Sequence, residues 1–151
     1  MSRNITVDIV QLPNAEDLPL PSYQTAGSVG MDLYAAVDHN GVWIKPGCWE
    51  GVPLGISIAL PEGYEGQVRP RSGLATRCGI SMLNNPGTID WDYNGELVVS
   101  LINHSQQPYH IIRGDRVGQL VVAPVTRVTW VQVTSLPETI RGWGGFGSTG
   151  R

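Results

Sequence analysis

The eleven residues Arg141-Gly142-Trp143-Gly144-Gly145-Phe146-Gly147-Ser148-Thr149-Gly150-Arg151 carry the clearest chemical signature in the chain. Phe146 is the only phenylalanine in the protein, and it stands among glycines. Such an arm suits closure over a flat ring, because the aromatic side chain can stack while the glycine backbone approaches closely. Arg141, Ser148, Thr149 and the glycine N–H groups, Gly147 included, could then wrap phosphates as anion-binding nests do. A disordered glycine-rich terminus is the plainer alternative. Four further segments carry groups of the same kind. Ala26-Gly27-Ser28-Val29-Gly30-Met31-Asp32-Leu33 sets one carboxylate, Asp32, after small residues. Pro70-Arg71-Ser72-Gly73-Leu74 offers a cation, a hydroxyl and free backbone N–H groups at a strand end. Asn84-Asn85-Pro86-Gly87-Thr88-Ile89-Asp90-Trp91-Asp92-Tyr93-Asn94-Gly95-Glu96 reads as a hairpin, with Asn94-Gly95 as a type I′ turn. Arg113-Gly114-Asp115-Arg116-Val117-Gly118-Gln119-Leu120 leads into a strand. Taken singly, each has an ordinary reading: Asp32 as a cap, Asp90 as a turn carboxylate, Tyr93 as a strand aromatic, Gln119 as a solvent-facing amide.

The elements that must position these groups are short. Nineteen glycines and 11 prolines are spread so evenly that few stretches could hold an average helix of roughly 11–12 residues. Ile5 to Ile9 alternates apolar and polar with period two, as a half-buried strand does. Val42 to Ile44, Gly55 to Ala59, Tyr64 to Val68, Arg116 to Val122 and Val128 to Val133 read the same way. Glu96 to Asn103 is ambiguous by periodicity, and its β-branched content favours strand. One helical turn is expected at Leu74 to Cys78. Many short strands with closely spaced turn signals imply an all-β sandwich or barrel, with a jelly roll among the candidates. The division is a β domain over 1–140 and an arm over 141–151. Fully extended, the arm spans about 36 Å at roughly 3.3 Å per residue, enough to reach a neighbouring subunit.

Composition narrows the function classes. No apolar run approaches the roughly 20 residues that span a bilayer, and no uninterrupted apolar stretch at the start suggests a secretory signal. Neither a membrane nor a nucleic-acid partner is expected, since the net charge is −3. Cys48 and Cys78 make neither a disulfide framework nor a metal-ligand spacing, so a reduced, cytoplasmic compartment fits. Among the cations only Lys45 is lysine; the other nine are arginines, whose planar fork suits phosphate. A GC-rich genome would give the same bias.

In order and spacing, the five segments resemble the five motifs of the trimeric dUTP pyrophosphatase family, from about residue 26 to the C-terminus. The resemblance implies a β jelly-roll homotrimer with active sites at subunit interfaces, each closed by a glycine-rich arm. It implies Mg²⁺-dependent hydrolysis of dUTP to dUMP and pyrophosphate, which keeps uracil out of DNA and supplies dUMP for thymidylate synthesis. Asp90 matches the carboxylate that activates water for attack on the α-phosphorus, and Gln119 the residue that helps hold that water. An ordinary aspartate is a poor base at neutral pH, so a drier site or late proton transfer would have to help. Asp32 matches the carboxylate linked to Mg²⁺ mainly through water, a sparse ligation that suits a reluctantly dehydrated ion. Arg71, Ser72 and Gly73 match a phosphate-binding segment. Arg141, with Ser148 and Thr149, should meet the γ-phosphate, while Arg116 reads as structural. Asn84, the backbone of Gly87, Thr88, Ile89 and Asp90, and Val98 should read uracil. Tyr93 should pack on deoxyribose, and Phe146 and Gly147 should close over the base.

Two residues depart from what the family leads one to expect. Trp91 follows Asp90 where a smaller residue is expected; strand alternation points it away from Asp90, into the core or a subunit contact. Trp143 could add contact when the arm closes. His39, His104 and His110 match no functional position. Two rival functions remain at this point. One is dCTP deamination on a related fold, which needs a proton shuttle at the base. The other is a non-catalytic β-sandwich module that keeps the nucleotide site.

Overall fold

The structure, a computed structural model, describes residues 4–148 and 150. Its regular structure is almost entirely β-strand, with one short α-helix and a single 3-10 turn at Pro13–Ala15 among the described residues, and loops join these elements. In chain order the strands are β1 (Asp8–Gln11), β2 (Met31–Tyr34), β3 (Val42–Ile44), β4 (Trp49–Pro53), β5 (Ile56–Ala59) and β6 (Tyr64–Arg69). Helix α1 (Ser72–Cys78) follows, and then β7 (Ile80–Met82), β8 (Gly87–Ile89), β9 (Val98–Asn103), β10 (Tyr109–Ile111) and β11 (Arg116–Pro124). All pairings are antiparallel. The sheets run β2-β11-β6-β8, β4-β9-β7, β1-β5 and β10-β3.

Strand alternation decides what faces inward. Along β9, Val99, Leu101 and Asn103 are buried while Val98 is exposed. They meet Leu33, Ile44, Val52, Ile80, Ile111 and Val117, all essentially inaccessible, in one core between the sheets. Asn103 is one of two buried polar residues among those described, with Asp32, and it is satisfied: its amide donates to the Ile44 and Gln107 carbonyls at 2.9 and 2.7 Å, and its Oδ1 accepts from Ser105 N at 2.8 Å. Arg113 ties the N-terminal segment to this body. Its guanidinium pairs with Asp17 and donates to the carbonyls of Val37 and Asn14. That pairing holds the Asp17 carboxyl below the usual carboxylate range.

Several expectations are met closely. Strands appear where alternation puts them at β3, β5, β6 and β11, and the expected helical turn lies inside α1. Three are corrected. The strand expected at residues 5–9 runs over Asp8–Gln11. The segment from Asn84 to Glu96 is not a hairpin, because β8 pairs with β6 whereas β9 pairs with β4 and β7. It is a crossing between two sheets. A type I′ turn needs positive φ at both central residues, and neither Asn94 nor Gly95 has it. The tight turn lies three residues earlier, where Tyr93 N donates to the Asp90 carbonyl at 3.1 Å. Finally, Val128 to Val133 forms no strand: Trp130 is 90% exposed and Val131 79%. The segment pairs with no strand among the described residues.

Candidate active site

Two cavities divide the residues singled out by sequence. The first, about 240 Å³, opens between the two larger sheets and is lined by Asn84, Gly87, Thr88, Ile89, Asp90, Tyr93 and Val98. Every one of these was expected to meet the base or sugar, or to activate water. Val68 and Met82 from the core, Glu96 and Leu97 from the crossing, and Val99 and Ser100 from β9 complete the wall; sequence reasoning did not single them out. The pocket exists because the chain leaves one sheet at Ile89 and enters the other at Val98. Ile89 is buried in the core while Asp90, one residue on, is exposed at the rim. The Tyr93 hydroxyl donates to the Glu96 carbonyl at 2.9 Å, and the ring lies against Gly95, where an added Cβ would sit 2.6 Å from the hydroxyl oxygen. That close approach, rather than a hairpin turn, is why glycine follows Asn94. A cis peptide joins Asn85 to Pro86 beside the pocket.

The second cavity, about 350 Å³, is lined by Asp32, Arg71, Ser72, Gly73, Arg116 and Gln119, with Ser28, Val29 and Gly30 at its edge. Its electrostatics centre on Asp32, which is buried. One carboxylate oxygen accepts from Arg71 Nε at 3.2 Å and the other from Arg116 Nη1 at 3.1 Å. Arg71 also donates to the Arg116 carbonyl at 3.3 Å. Two cations therefore share one anion, leaving a net positive pocket beside the hydroxyl and backbone of Ser72 and Gly73. This is chemistry for an anion. The expectation that Arg116 is structural fits its hold on Asp32. Gln119 is fixed by a 3.0 Å bond from its Nε2 to the Pro70 carbonyl. Its side chain lies on Gly30, whose missing Cβ makes the room. Gly30 was not singled out from sequence, although a glycine two residues before Asp32 was the available signal.

Whether this second cavity fits Mg²⁺ turns on its donors. Asp32 is a single carboxylate already engaged by two guanidinium groups, and the described residues contain no cluster of three His, Cys, Asp or Glu able to hold a metal ion. Such a donor set cannot cage a cation alone. It suits a hydrated Mg²⁺ carried in on phosphate oxygens, with Asp32 reached through water.

The two cavities do not merge. Gln119 stands opposite Arg69 and Ile89 opposite Gly66, on either side of β6. Asp90 thus lies two strands across and four residues along from Gln119, roughly 16 Å at ordinary strand spacings. One chain does not bring this carboxylate and this amide to the same water. The C-terminal residues stand apart as well. Arg141 to Ser148 line neither cavity. Arg141 Nε donates to the nearby Gly144 carbonyl at 2.8 Å, and Phe146 and Trp143 are fully exposed. Thr149 falls outside the described residues. Trp91 is exposed rather than in the core, which leaves the subunit contact of the two places expected for it.

Comparison with known proteins bears directly on this geometry. The dUTPase family model matches residues 16–150. A deoxyuridine 5'-triphosphate nucleotidohydrolase of Maricaulis maris is 54% identical over 147 residues, 97% of each chain. One of the same name from Methylocella silvestris is 50% identical over 151 residues, 99% of this chain and 94% of that protein. Among solved structures, the Staphylococcus bacteriophage 80alpha dUTPase bound to dUPNHPP superposes with a TM-score of 0.86 at 23% identity, covering 98% of this chain and all of that one. A phage phi11 dUTPase mutant, described with a structural Mg(II) ion, gives 0.76 at 22% identity over 87% of this chain and 98% of its own.

Proposed function

This chain belongs to the dUTPase family, and from that premise we propose how its two half-sites carry out the family reaction. The protein is a dUTP diphosphatase; it hydrolyses dUTP. In our reading, the products are dUMP and pyrophosphate, released when water attacks the α-phosphorus. The cavity between the sheets holds deoxyuridine. Asn84 and the backbone from Gly87 to Asp90 face the base edge, and Val98 narrows the slot. Hydrogen bonds matched to an oxo group reject an amino group far more strongly than a slot rejects one methylene. Tyr93 covers the sugar on the side of a 2′-hydroxyl.

The Asp32 cavity holds the triphosphate. Arg71, Ser72 and Gly73 present donors where charge spreads over the phosphoryl oxygens. When bound, Mg²⁺ neutralises triphosphate charge, with Asp32 near its water shell. Asp90 accepts the proton of the attacking water, and Gln119 orients that water without adding negative charge. Arg141, Ser148 and Thr149 meet the γ-phosphate, while Phe146 and Gly147 shut out solvent. Turnover limits uracil in DNA and provides dUMP for thymidylate synthesis, in the cytoplasm.

The observation that carries this reading is the separation of Asp90 from Gln119 within one chain. Gln119 sits on the inner strand β11 and Asp90 just beyond the edge strand β8 of the same sheet, and in this reading a second copy of the chain brings them together. A head-to-tail contact repeated around a ring closes as a cyclic homotrimer, with one site per interface. The unpaired apolar stretch from Val128 to Val133 and the exposed Phe146 support an arm that leaves its own subunit for a neighbour. The test incubates the protein with dUTP and Mg²⁺ and follows pyrophosphate, with Asp90→Asn as control. The variant is expected to bind nucleotide and lose turnover. Untouched dUTP beside consumed dCTP or dTTP would overturn the assignment, and ammonia release from dCTP would favour deamination.

A further inference from the structure

The crossing between β8 and β9 is held by a side chain that the proposed mechanism does not use. Glu96 is half-buried in the wall of the nucleoside cavity, directly after the glycine on which the Tyr93 ring lies. Its Oε1 accepts two hydrogen bonds from outside the crossing: Gly55 N at 3.0 Å and Asn14 Nδ2 at 3.1 Å. Gly55 is a rigid anchor. Its φ is +64°, and an added Cβ would press on Ala15 and Ala36. Its N–H therefore cannot readily turn to another acceptor. One residue further on, Leu97 N donates to the Ile56 carbonyl and its own carbonyl accepts from Leu54 N, at 2.9 and 3.0 Å. The main chain of Glu96 meanwhile accepts the Tyr93 hydroxyl at 2.9 Å. The same residue thus grips the β4–β5 turn with its carboxylate and the Tyr93 ring with its carbonyl.

We propose that Glu96 is a positioning residue: it fixes the Tyr93 ring over the sugar and so sets the preference for deoxyribo- over ribonucleotides. This rests on the reading that the cavity between the sheets holds the nucleoside. Without the carboxylate, residues 93–96 are tied to the β4–β5 turn through the neighbouring Leu97 main chain alone, and the ring can drift away from the space a 2′-hydroxyl would need. Glutamine keeps an Oε1 acceptor at the same reach and should preserve both bonds.

The test compares steady-state rates on dUTP and UTP for the wild type, Glu96→Ala, Glu96→Gln and Tyr93→Ala, with thermal midpoints recorded beside them. Glu96→Ala is expected to lower the dUTP:UTP ratio of kcat/KM about tenfold, the scale of a displaced positioning group. The loss should fall mainly on KM for dUTP. Glu96→Gln should stay within about twofold of wild type, since the acceptor survives. A wild-type ratio in Glu96→Ala, whatever its midpoint, overturns the inference; so does Glu96→Gln failing as badly as alanine. Should Glu96→Ala not fold, Asn14→Ala removes one of the two donors outside the cavity. A smaller fall in the same ratio is then expected, and no fall overturns the proposal. If Tyr93→Ala itself leaves the ratio intact, the nucleoside reading of the cavity fails and takes this inference with it. If Tyr93→Ala lowers the ratio and Glu96→Ala does not, the inference alone fails.

Discussion

Replacing Gly30 by alanine adds one carbon and should cost far more catalysis than stability. The new Cβ would collide with Gln119 Oε1 and stand 3.1 Å from both Cβ and Cδ of that side chain. Backbone strain does not enter, because Gly30 has no positive φ. The closest obstacle is the far end of a flexible side chain, so the amide swings aside and gives up its 3.0 Å bond to the Pro70 carbonyl. The close contact with Gln119 Cβ asks for a shift of a few tenths of an ångström. One hydrogen bond is worth about 1 kcal/mol net, and overpacking at a yielding site adds about 1 more. The loss of stability should be about 1–2 kcal/mol, a fall of a few degrees in the thermal midpoint. An orienting group moved by about an ångström can cost a hundredfold, so kcat/KM for dUTP should fall between about tenfold and a hundredfold. Gly27→Ala is the matched control, since nothing lies within 4 Å of a Cβ there. It should be neutral in both assays. Circular dichroism melts and a pyrophosphate-release assay read the two quantities. A Gly30→Ala enzyme with wild-type kcat/KM would refute the reasoning, because Gln119 would then have no position to lose.

Two further outcomes follow from the same contacts. Arg113 depresses the Asp17 carboxyl pKa in the folded state, so the pair stabilises the fold above the ordinary aspartate range and loses that contribution as pH falls through the lowered folded value. Asp17→Asn should therefore melt below wild type at neutral pH and converge with it in strong acid; a constant gap across pH would contradict this. Ending the chain after Ile140 removes a segment whose described residues line neither cavity. The thermal midpoint should hold while kcat/KM for dUTP collapses, and a truncated chain with full activity would dismiss the arm.

What could be read from sequence follows physical lines. Local alternation was enough for β3, β5, β6 and β11, because a strand with one face in the core must repeat every second residue. Strand partners were not legible. The runs flanking Asp90 to Gly95 are both β, yet they join different sheets, and nothing within that segment specifies distant partners. Asn94-Gly95 imitates a turn signal, but the glycine is there for the Tyr93 ring. Val128 to Val133 has the pattern of a strand and pairs with none among the described residues. The strands β2, β4, β7 and β10 were not read from sequence; in β4 the alternation is interrupted by Gly51 and Pro53. The candidate site was legible in its residue types. Its division into two half-sites was not, since the distance from Asp90 to Gln119 depends on sheet order.

Complementation between two inactive chains tests that division most directly. Asp90→Asn spoils the nucleoside half-site and Gln119→Ala the phosphate half-site, and each alone should be close to inactive on dUTP. When equal amounts are denatured together and refolded, random assembly joins an intact Asp90 to an intact Gln119 at about a quarter of the interfaces of a cyclic trimer. Recovery to about a quarter of wild-type activity is the predicted result. If the mixture stays as inactive as its components while wild-type chains regain activity under the same refolding, the two residues serve within one subunit and the account is wrong.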